Sequence, residues 1–526
     1  KPPVEKASGL LRSSAVVGSM TMLSRFLGLA RDVVIANLLG AGSNADCFFI
    51  AFKIPNFLRR LFAEGAFSQA FVPVLAEYKE QGSHAAVQAL VNRVAATLGG
   101  VLLLLTSLAV VGAPVVTMLF APGFHDSPEK FALTADMIRI TFPYLFLISM
   151  TGFAGAILNT YGRFAVPAFT PVLLNLTLIT AALVASPWFE EPAMALAWGV
   201  MAAGAIQLTF QLPFLQRIHL LPKPTLVWND PGVKRIMTLM VPALFGVSVS
   251  QINLLLDTVI ASFLPTGSVS WLYYSDRLVE LPLGVFAIAI GTVILPSLSK
   301  LKAKADSEAY AKTIDWAMRA VLILGVPAAA GLLILAEPIL ITLFQYGELE
   351  SRDVTMAALS LRAYSFGLLA FMLIKVLAPG YFAQQDMKTP VRIGIIAMVA
   401  NMVFNIALVV PLHHYWQVGH VGLAAATAMS GWLNAILLLR GLRKRDAYHH
   451  QKGWPRYLAR LLLATAAMSA VLWFISPPEQ YWLAQAWFIR ASLIFGVVAA
   501  GGAVYIGVLF ALGIRIHHFR QVNTSI

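Results

Sequence analysis

The segments SRFLGLARDVVIANLLGAG (residues 24–42) and NADCFFIAFKIPNFLRRLFAEGAFSQAFVPVLAEY (residues 44–78) decide the fold prediction for this chain. Both have the composition of hydrophobic helices, yet charged side chains interrupt them. These side chains are Arg25, Arg31, Asp32, Asp46, Lys53, Arg59, Arg60 and Glu64. A charge near the centre of a bilayer costs at least ~2.5 kcal/mol, so such residues must face a wet cavity or a partner. The rest of the chain is expected to enclose them.

The charges of the second segment follow one helix face. At 100° per residue, a sector of roughly 80° contains five of its polar residues. These are Asp46, Lys53, Asn56, Arg60 and Glu64. Arg59 lies outside this sector, about 100° from Arg60. The pattern predicts a polar stripe on an otherwise apolar helix.

The composition places the whole chain in a membrane. Of its 526 residues, 59% are hydrophobic and 12% are charged, and the mean hydropathy is +0.76. Soluble domains carry about 25% charged residues, so we expect a polytopic membrane protein. The net charge of +13 fits a positive-inside topology and contact with anionic headgroups. We expect no cleavable signal peptide and no disulfide, because Cys47 is the single cysteine of the sequence.

Apolar stretches near the length needed to cross a bilayer predict an all-α protein with about fourteen transmembrane helices. They lie at about 14–39, 45–75, 88–119, 133–158, 166–186, 193–215, 236–263, 268–297, 315–345, 357–382, 389–412, 418–440, 456–476 and 486–513. Lys and Arg concentrate in alternate loops, and the loops between them are mostly acidic or neutral. This bias predicts that both termini are cytoplasmic.

The chain also repeats itself. DVVIANLLGAGS (Asp32–Ser43) aligns without a gap on DTVIASFLPTGS (Asp257–Ser268), 225 residues later, and weaker matches follow at nearly the same spacing. Six helices are therefore expected to recur as six in the same orientation, a parallel repeat. The last two predicted helices stand outside it.

The second half contains a smaller set of charged residues. Asp276, Arg277 and Glu280 fall within about 100° of one helix face, and Asp257 is the repeat mate of Asp32. Each acidic residue is interpreted first as a salt-bridge partner. The arginines are interpreted as functional, because they outnumber the nearby acids and their planar guanidinium suits phosphate. The residues thus indicate an anionic ligand that bears phosphate.

The sequence lacks the motifs that are typical of several enzyme activities. The sequence has no G-x-x-x-x-G-K-[ST] motif, which disfavours an ATPase. It also has no Asp-x-Asp pair or His/carboxylate cluster that would face one site, which disfavours a metal-dependent transferase. We therefore expect neither a catalytic residue nor a metal or other cofactor, and the external loops look too short for a glycosyltransferase site.

Four motifs carry a family resemblance. SMTMLSRFLGLARD (residues 19–32), FKIPNFLRRLFAEGAFSQAFVPVLAEY (52–78), GSVSWLYYSDRLVELPLG (267–284) and VLAPGYFAQQDMKTPV (376–391) resemble the bacterial lipid II flippases of the MurJ (MviN) family. That family belongs to the multidrug/oligosaccharidyl-lipid/polysaccharide exporter superfamily. The resemblance runs from about Ser14 to the last helix.

The resemblance implies an architecture and a substrate. Two six-helix lobes, residues 14–218 and 232–443, would form a V around a central cationic cavity, and residues 455–513 would form a groove for the lipid tail. The family moves lipid II, an undecaprenyl-diphosphate-linked precursor of peptidoglycan, from the cytoplasmic to the outer leaflet of the bacterial inner membrane. Lipid II, membrane lipids and other proteins of cell-wall synthesis are the expected partners of a monomer, with no nucleic acid. A coupling ion, Na⁺ or H⁺, stays open.

The candidate site residues form two groups. Those expected to bind substrate are Arg25, Arg31, Arg59, Arg60, Arg277, Lys53 and Asn56. Those expected to form salt bridges and gates are Asp32, Asp46, Glu64, Asp257, Asp276 and Glu280. One alternative stays open within the superfamily, a flippase for another polyprenyl-diphosphate-linked oligosaccharide. A third hypothesis, an enzyme acting on lipid-linked sugars, is disfavoured.

Overall fold

Every regular element of the computed structural model is a helix, within the residues that it describes (3–516 and 519). A few side chains inside the helices are outside this description, among them those of Glu64 and Ser250. The α-helices are α1 (Pro3–Leu39), α2 (Ser43–Arg59), α3 (Ser68–Gln81), α4 (His84–Val111), α5 (Ala113–Phe120), α6 (Pro128–Thr141), α7 (Pro143–Thr160), α8 (Ala165–Thr180), α9 (Pro192–Arg217), α10 (Pro231–Ser262), α11 (Ser268–Ala303), α12 (Ser307–Ile334), α13 (Ala336–Phe344), α14 (Ser351–Phe382), α15 (Lys388–Trp416), α16 (Gly419–Lys444), α17 (Trp454–Ile475), α18 (Glu479–Ala484) and α19 (Trp487–Ala511).

The prediction of an all-helical polytopic membrane protein is confirmed. Within the described residues, eleven helical segments are long and apolar enough to cross a membrane. The predicted helices missing from this set are the first, second and eighth, which correspond to α1, α2 with α3, and α11. These three carry most of the candidate site residues, and charged side chains lower the mean hydropathy of a helix. The count of fourteen stays a prediction.

The helix that contains Arg59 and Arg60 changes its winding between these two arginines. Between α2 and α3 the residues Arg60–Phe67 form a π-helix, so the helical path runs on from Ser43 to Gln81. The π-helix is rare, and it occurs frequently at functional sites. The value of 100° per residue applies to α2, which contains Asp46, Lys53 and Asn56, and the Glu64 side chain lies outside the described residues.

The helix boundaries recur along the chain as the sequence repeat predicts. α2 begins at Ser43 and α11 begins at Ser268, which is the spacing of 225 residues found in the sequence. The pairs α4 and α12, α6 and α14, and α8 and α15 begin 223 residues apart. One difference is that α6 and α7 are separate, with Pro143 in the first turn of α7, whereas α14 runs unbroken. Proline at a helix start supplies no backbone N–H and favours such a break.

The chain forms two compact units, residues 1–270 and 271–526. The first unit has an apolar core in which Phe71 stacks on Phe67 with ring centroids 5.1 Å apart. Beside this core Arg93 pairs with Asp230, and Asp230 also accepts a hydrogen bond from the Val233 backbone N–H at 3.0 Å. Asp230 therefore caps α10 and ties it to α4.

The second unit depends on close helix packing. A Cβ atom added at Gly367 would lie 2.7 Å from the Cα of Ala428, and one added at Gly422 would lie 2.8 Å from the Val409 backbone. These glycines allow α16 to approach α14 and α15 closely, as small residues do in membrane helices. Near the end of the unit, the buried Arg490 donates to the carbonyl oxygens of Ile341 and Trp482.

Candidate functional site

Asp46 is the centre of a buried polar cluster in the first unit. It lies in the first turn of α2 with 1% of its surface exposed. One carboxylate oxygen accepts hydrogen bonds from Ser270, from the backbone N–H at 3.1 Å and from the hydroxyl at 2.6 Å. The other accepts from the Gly267 backbone N–H at 2.7 Å and faces the Lys130 ammonium at 3.3 Å. The carboxylate is thus neutralised and held by four donors, an arrangement that offsets the cost of burying its charge.

Lys130 is the cation that the sequence analysis did not assign to the site. It is 8% exposed, and its ammonium lies 4.2 Å from the centre of the Phe124 ring and 3.5 Å from the Thr266 hydroxyl. The signal for it was present in the sequence, since Lys130 is one of the few basic residues in a set of loops that is otherwise acidic or neutral. Asp46, predicted to form a salt bridge, therefore pairs with a lysine from α6. We call the side chains of Asp46, Lys130 and Ser270 the Asp46 cluster.

A second buried group joins α1 to α8. The Arg31 guanidinium donates to the Asp32 carboxylate at 3.1 and 3.2 Å and to the Asn175 amide oxygen at 2.9 Å. Asn175 in turn donates to the Ser24 carbonyl oxygen at 2.9 Å. Arg31 and Asp32 are 4% and 1% exposed, so the pair is desolvated. Asn175 was missed by the sequence analysis, because a single asparagine in an apolar helix gives no charge signal.

The remaining candidates of the first unit are more accessible. The side chains of Arg25 and Arg60 are exposed, and those of Lys53, Asn56 and Arg59 are half-buried. Arg25 forms no ion pair with any side chain in the described part of the chain, whereas the Asn56 amide donates to the Phe52 carbonyl oxygen at 3.1 Å. Asp257, on α10, is half-buried. The Glu64 side chain lies outside the described residues.

The candidates of the second unit lie together on α11. The Arg277 guanidinium is 3.2 Å from the Glu280 carboxylate, and it lies 5.2 Å from the centre of the Tyr273 ring. The side chains of Arg277 and Glu280 are 33% and 46% exposed, so water reaches both. Asp276 is half-buried. The spacing that predicted a common helix face for Arg277 and Glu280 therefore agrees with their contact.

The arrangement suits binding and ion-pair exchange. Each unit presents arginine and carboxylate side chains on helices that are otherwise apolar, and the Arg31–Asp32 pair is desolvated. Among the described residues there is no group of three or more His, Cys, Asp or Glu side chains that could hold a metal ion. Arginine side chains can bind an anion that bears phosphate.

The fold is similar to that of a solved membrane transporter. The structure resembles a solved one described as "Inward-facing conformation of a multidrug resistance MATE family transporter of the MOP superfamily", with a TM-score of 0.64. The likeness covers 82% of this chain and 98% of that one at 15% identity, and it therefore concerns the fold alone.

The sequence then identifies the family. The family model described as "Lipid II flippase MurJ" matches residues 35–493, and the chain belongs to that family. It is 51% identical to the "Probable lipid II flippase MurJ" of Vibrio cholerae over 521 residues, 98% of both chains. It is 41% identical to the "Lipid II flippase MurJ" of Burkholderia cenocepacia, over 97% of this chain and 99% of that one. A solved structure described as "Lipid II flippase MurJ, inward closed conformation" aligns with a TM-score of 0.77 and 25% identity, over 94% of this chain and all of that one.

Proposed function

We propose that this chain moves lipid II from the cytoplasmic to the outer leaflet of the bacterial inner membrane. Its membership of the flippase family carries the proposal, since relatives that bear this name match nearly the whole chain at up to 51% identity. The protein would act as a transporter and not as an enzyme. In this proposal it is a monomer with both termini in the cytoplasm.

The charges of the helices support a role in holding the diphosphate of lipid II. Arg25 is exposed on α1, and a third of the Arg277 side chain is exposed on α11. Arginine binds phosphate oxygens with two parallel hydrogen bonds, and each such bond is strong because both groups are charged. In the proposal the diphosphate is bound by five arginines, with Lys53 and Asn56 beside them. These arginines are Arg25, Arg31, Arg59, Arg60 and Arg277.

The proposed transport cycle is alternating access of two lobes, residues 14–218 and 232–443, with residues 455–513 as the groove for the lipid tail. Fourteen membrane-spanning helices are part of this proposal. In the proposal the arginines form ion pairs with acidic residues and release them when they bind substrate. These acidic residues are Asp32, Glu64, Asp257, Asp276 and Glu280. The Asp46 cluster would act as a gate, because its ion pair and hydrogen bonds must open if Ser270 is to separate from Asp46.

Translocation in cells tests the proposal. Cells depleted of their own flippase would produce this chain, and an enzyme added outside would cleave only the lipid II that reaches the outer leaflet. We expect the wild-type chain to restore cleavage and Arg277→Ala to lose most of it. Losing one charge-assisted contact costs ~1.5–3 kcal/mol, which weakens binding roughly 10- to 150-fold. Lys300→Ala is the matched control, since Lys300 is an exposed cation in the last turn of the same helix.

Two results would contradict the proposal. Lipid II that stays protected although the wild-type chain is abundant in the membrane would favour another polyprenyl-diphosphate-linked oligosaccharide as the substrate. Equal transport by the wild type and by Arg277→Ala would remove this arginine from the site. Competition by undecaprenyl diphosphates that bear other sugars distinguishes the two substrates directly.

A further inference from the structure

The second unit contains a cavity whose lining includes none of the residues proposed to bind the diphosphate or to pair with the arginines. Its volume is about 670 Å³, and the first turns of α12 and α17 line it, together with Ile514 and Phe519 after α19. Both helices are long and apolar enough to span the membrane, and the cavity lies at the ends where they begin. It therefore lies at the level of a membrane interface. We call it the α12–α17 cavity.

The lining of this cavity is basic. Among the described residues, five cations line it against two carboxylates, and these cations are Lys312, Arg319, Lys452, Arg456 and Arg460. Both carboxylates are already engaged, since Asp306 accepts from the Ala309 backbone N–H at 3.1 Å and Asp315 pairs with Arg319 at 2.8 Å.

Three cations have no such neutralisation. Within the described part of the chain, Lys452, Arg456 and Arg460 form no ion pair, and Arg460 is half-buried although it lies in the second turn of α17. The first turn of α17 adds to this positive charge. Gly453, at the N-cap, has no side chain that could accept a hydrogen bond from the first backbone N–H groups of the helix. Cations together with a helix N-terminus are a setting in which phosphate binds.

A buried hydrogen-bond network holds the cavity in shape. Asp315 is 3% exposed, and it accepts hydrogen bonds from the Tyr448 hydroxyl at 2.9 Å and from the Trp454 indole N–H at 2.7 Å. The Arg319 guanidinium lies over the rings of Trp454 and Tyr457, 4.7 and 5.1 Å from their centres. These contacts fix the start of α17 against α12, so the cations need little reordering to bind a ligand.

We infer that the α12–α17 cavity binds a phosphate-bearing ligand, and that its source is the headgroup of an anionic phospholipid. The phosphate would contact Arg456, Arg460 and Lys452. The lining also includes Trp316, Tyr457 and Phe519, which offer apolar surface to the start of an acyl chain. Basic pockets between membrane helices at an interface are typical binding sites for lipid headgroups.

The experiment uses the full-length chain purified in detergent and a soluble short-chain phosphatidylglycerol as the probe. Binding would be followed by the change in total tryptophan fluorescence, to which Trp316 in the cavity lining contributes, with short-chain phosphatidylcholine and inorganic phosphate as comparison ligands. We expect Arg456→Gln with Arg460→Gln to weaken phosphatidylglycerol binding about tenfold or more. Arg456→Lys with Arg460→Lys should retain most of the affinity. The matched control is Lys388→Gln with Arg392→Gln, which removes two exposed cations at the start of α15.

Each outcome decides the inference. Binding of phosphatidylglycerol that falls in the glutamine variant and not in the control supports it, provided that inorganic phosphate binds much more weakly. Equal affinity for inorganic phosphate, with the same loss in the variant, would overturn the lipid source and assign the cavity to a free phosphate. Unchanged binding in the variant, or equal binding of phosphatidylcholine, would overturn the site itself. Lys452→Gln, on an exposed residue just before α17, gives the same test if the double variant does not fold.

Discussion

At the residue scale, the Asp46 cluster shows how an apolar helix retains a buried carboxylate. Four donors satisfy Asp46, and one of them carries the compensating charge. The ion pair between Arg31 and Asp32 follows the same principle. The Asn175 amide oxygen accepts a further hydrogen bond from the Arg31 guanidinium. Because both groups are desolvated, removing one partner leaves a buried charge uncompensated, and this costs more than the pair itself contributes.

Asp46→Asn should therefore strongly destabilise the folded protein. The variant leaves Lys130 buried without its counter-charge, and we expect a loss of about 3–5 kcal/mol in the free energy of unfolding. Thermal unfolding of the purified protein in detergent measures this loss. Asp136→Asn is the control, because its ion pair with Arg139 is exposed and should contribute less than about 1 kcal/mol.

The double variant Asp46→Asn with Lys130→Met separates charge from packing. If the uncompensated ammonium causes the loss, the double variant should be more stable than Asp46→Asn alone. A double variant as unstable as the single one would show that hydrogen bonds to Ser270 and Gly267, rather than the buried charge, determine the effect.

At the element scale, the sequence predicted the helices better than their local winding. Apolar length and the repeat placed most helix starts to within a few residues, because a span must satisfy its backbone hydrogen bonds internally and must match the bilayer thickness. The exceptions are α1, predicted from residue 14 but starting at Pro3, and α12, predicted from residue 315 but starting at Ser307. The π-helix at Arg60–Phe67 was not predicted, since no residue type specifies that winding. Arg277 and Glu280 could be placed together from their spacing alone, whereas Lys130 and Ser270 reach Asp46 only through tertiary packing.

The start of α15 provides a pH-dependent test at this scale. Asp386 lies before the helix, and hydrogen bonds from the Thr389 side chain at 2.6 Å and from its backbone N–H at 3.0 Å lower the pKa of this carboxyl to about 2, with further help from Arg445. The unfolded value is about 3.9, so the charged form stabilises the fold above about pH 4. That contribution is lost as the pH falls through about 2.

Asp386→Asn should cost about 1 kcal/mol at neutral pH, the usual cost of losing a helix cap. The difference in unfolding temperature between the wild type and this variant should shrink as the pH is lowered from about 5 towards 2, because the wild-type carboxylate becomes protonated. Asp446→Asn, in the exposed turn after α16, is the control. A difference that does not change with pH would mean that the ionised carboxylate is not the stabilising form.

At the scale of the whole molecule, the distribution of basic residues predicts how the chain lies in the membrane. Lys223 and Lys444 lie on the side predicted to be cytoplasmic, and Glu190 and Glu348 lie in loops predicted to face outward. All four side chains are exposed, and the single native cysteine, Cys47, is buried. The chain is therefore suited to cysteine labelling, with the unaltered protein as the background.

In intact cells, a maleimide that cannot cross the membrane should label Glu190→Cys and Glu348→Cys but not Lys223→Cys or Lys444→Cys. Lysines and arginines that flank membrane helices stay in the cytoplasm, so labelled and protected positions should alternate along the chain. Disrupting the membrane should make all four react, which shows that the protected cysteines are accessible. The opposite pattern would invert the topology and with it the proposed direction of transport. Labelling of Lys444→Cys but not of Lys223→Cys would mean that an odd number of spans separates these loops, contrary to the prediction of fourteen helices.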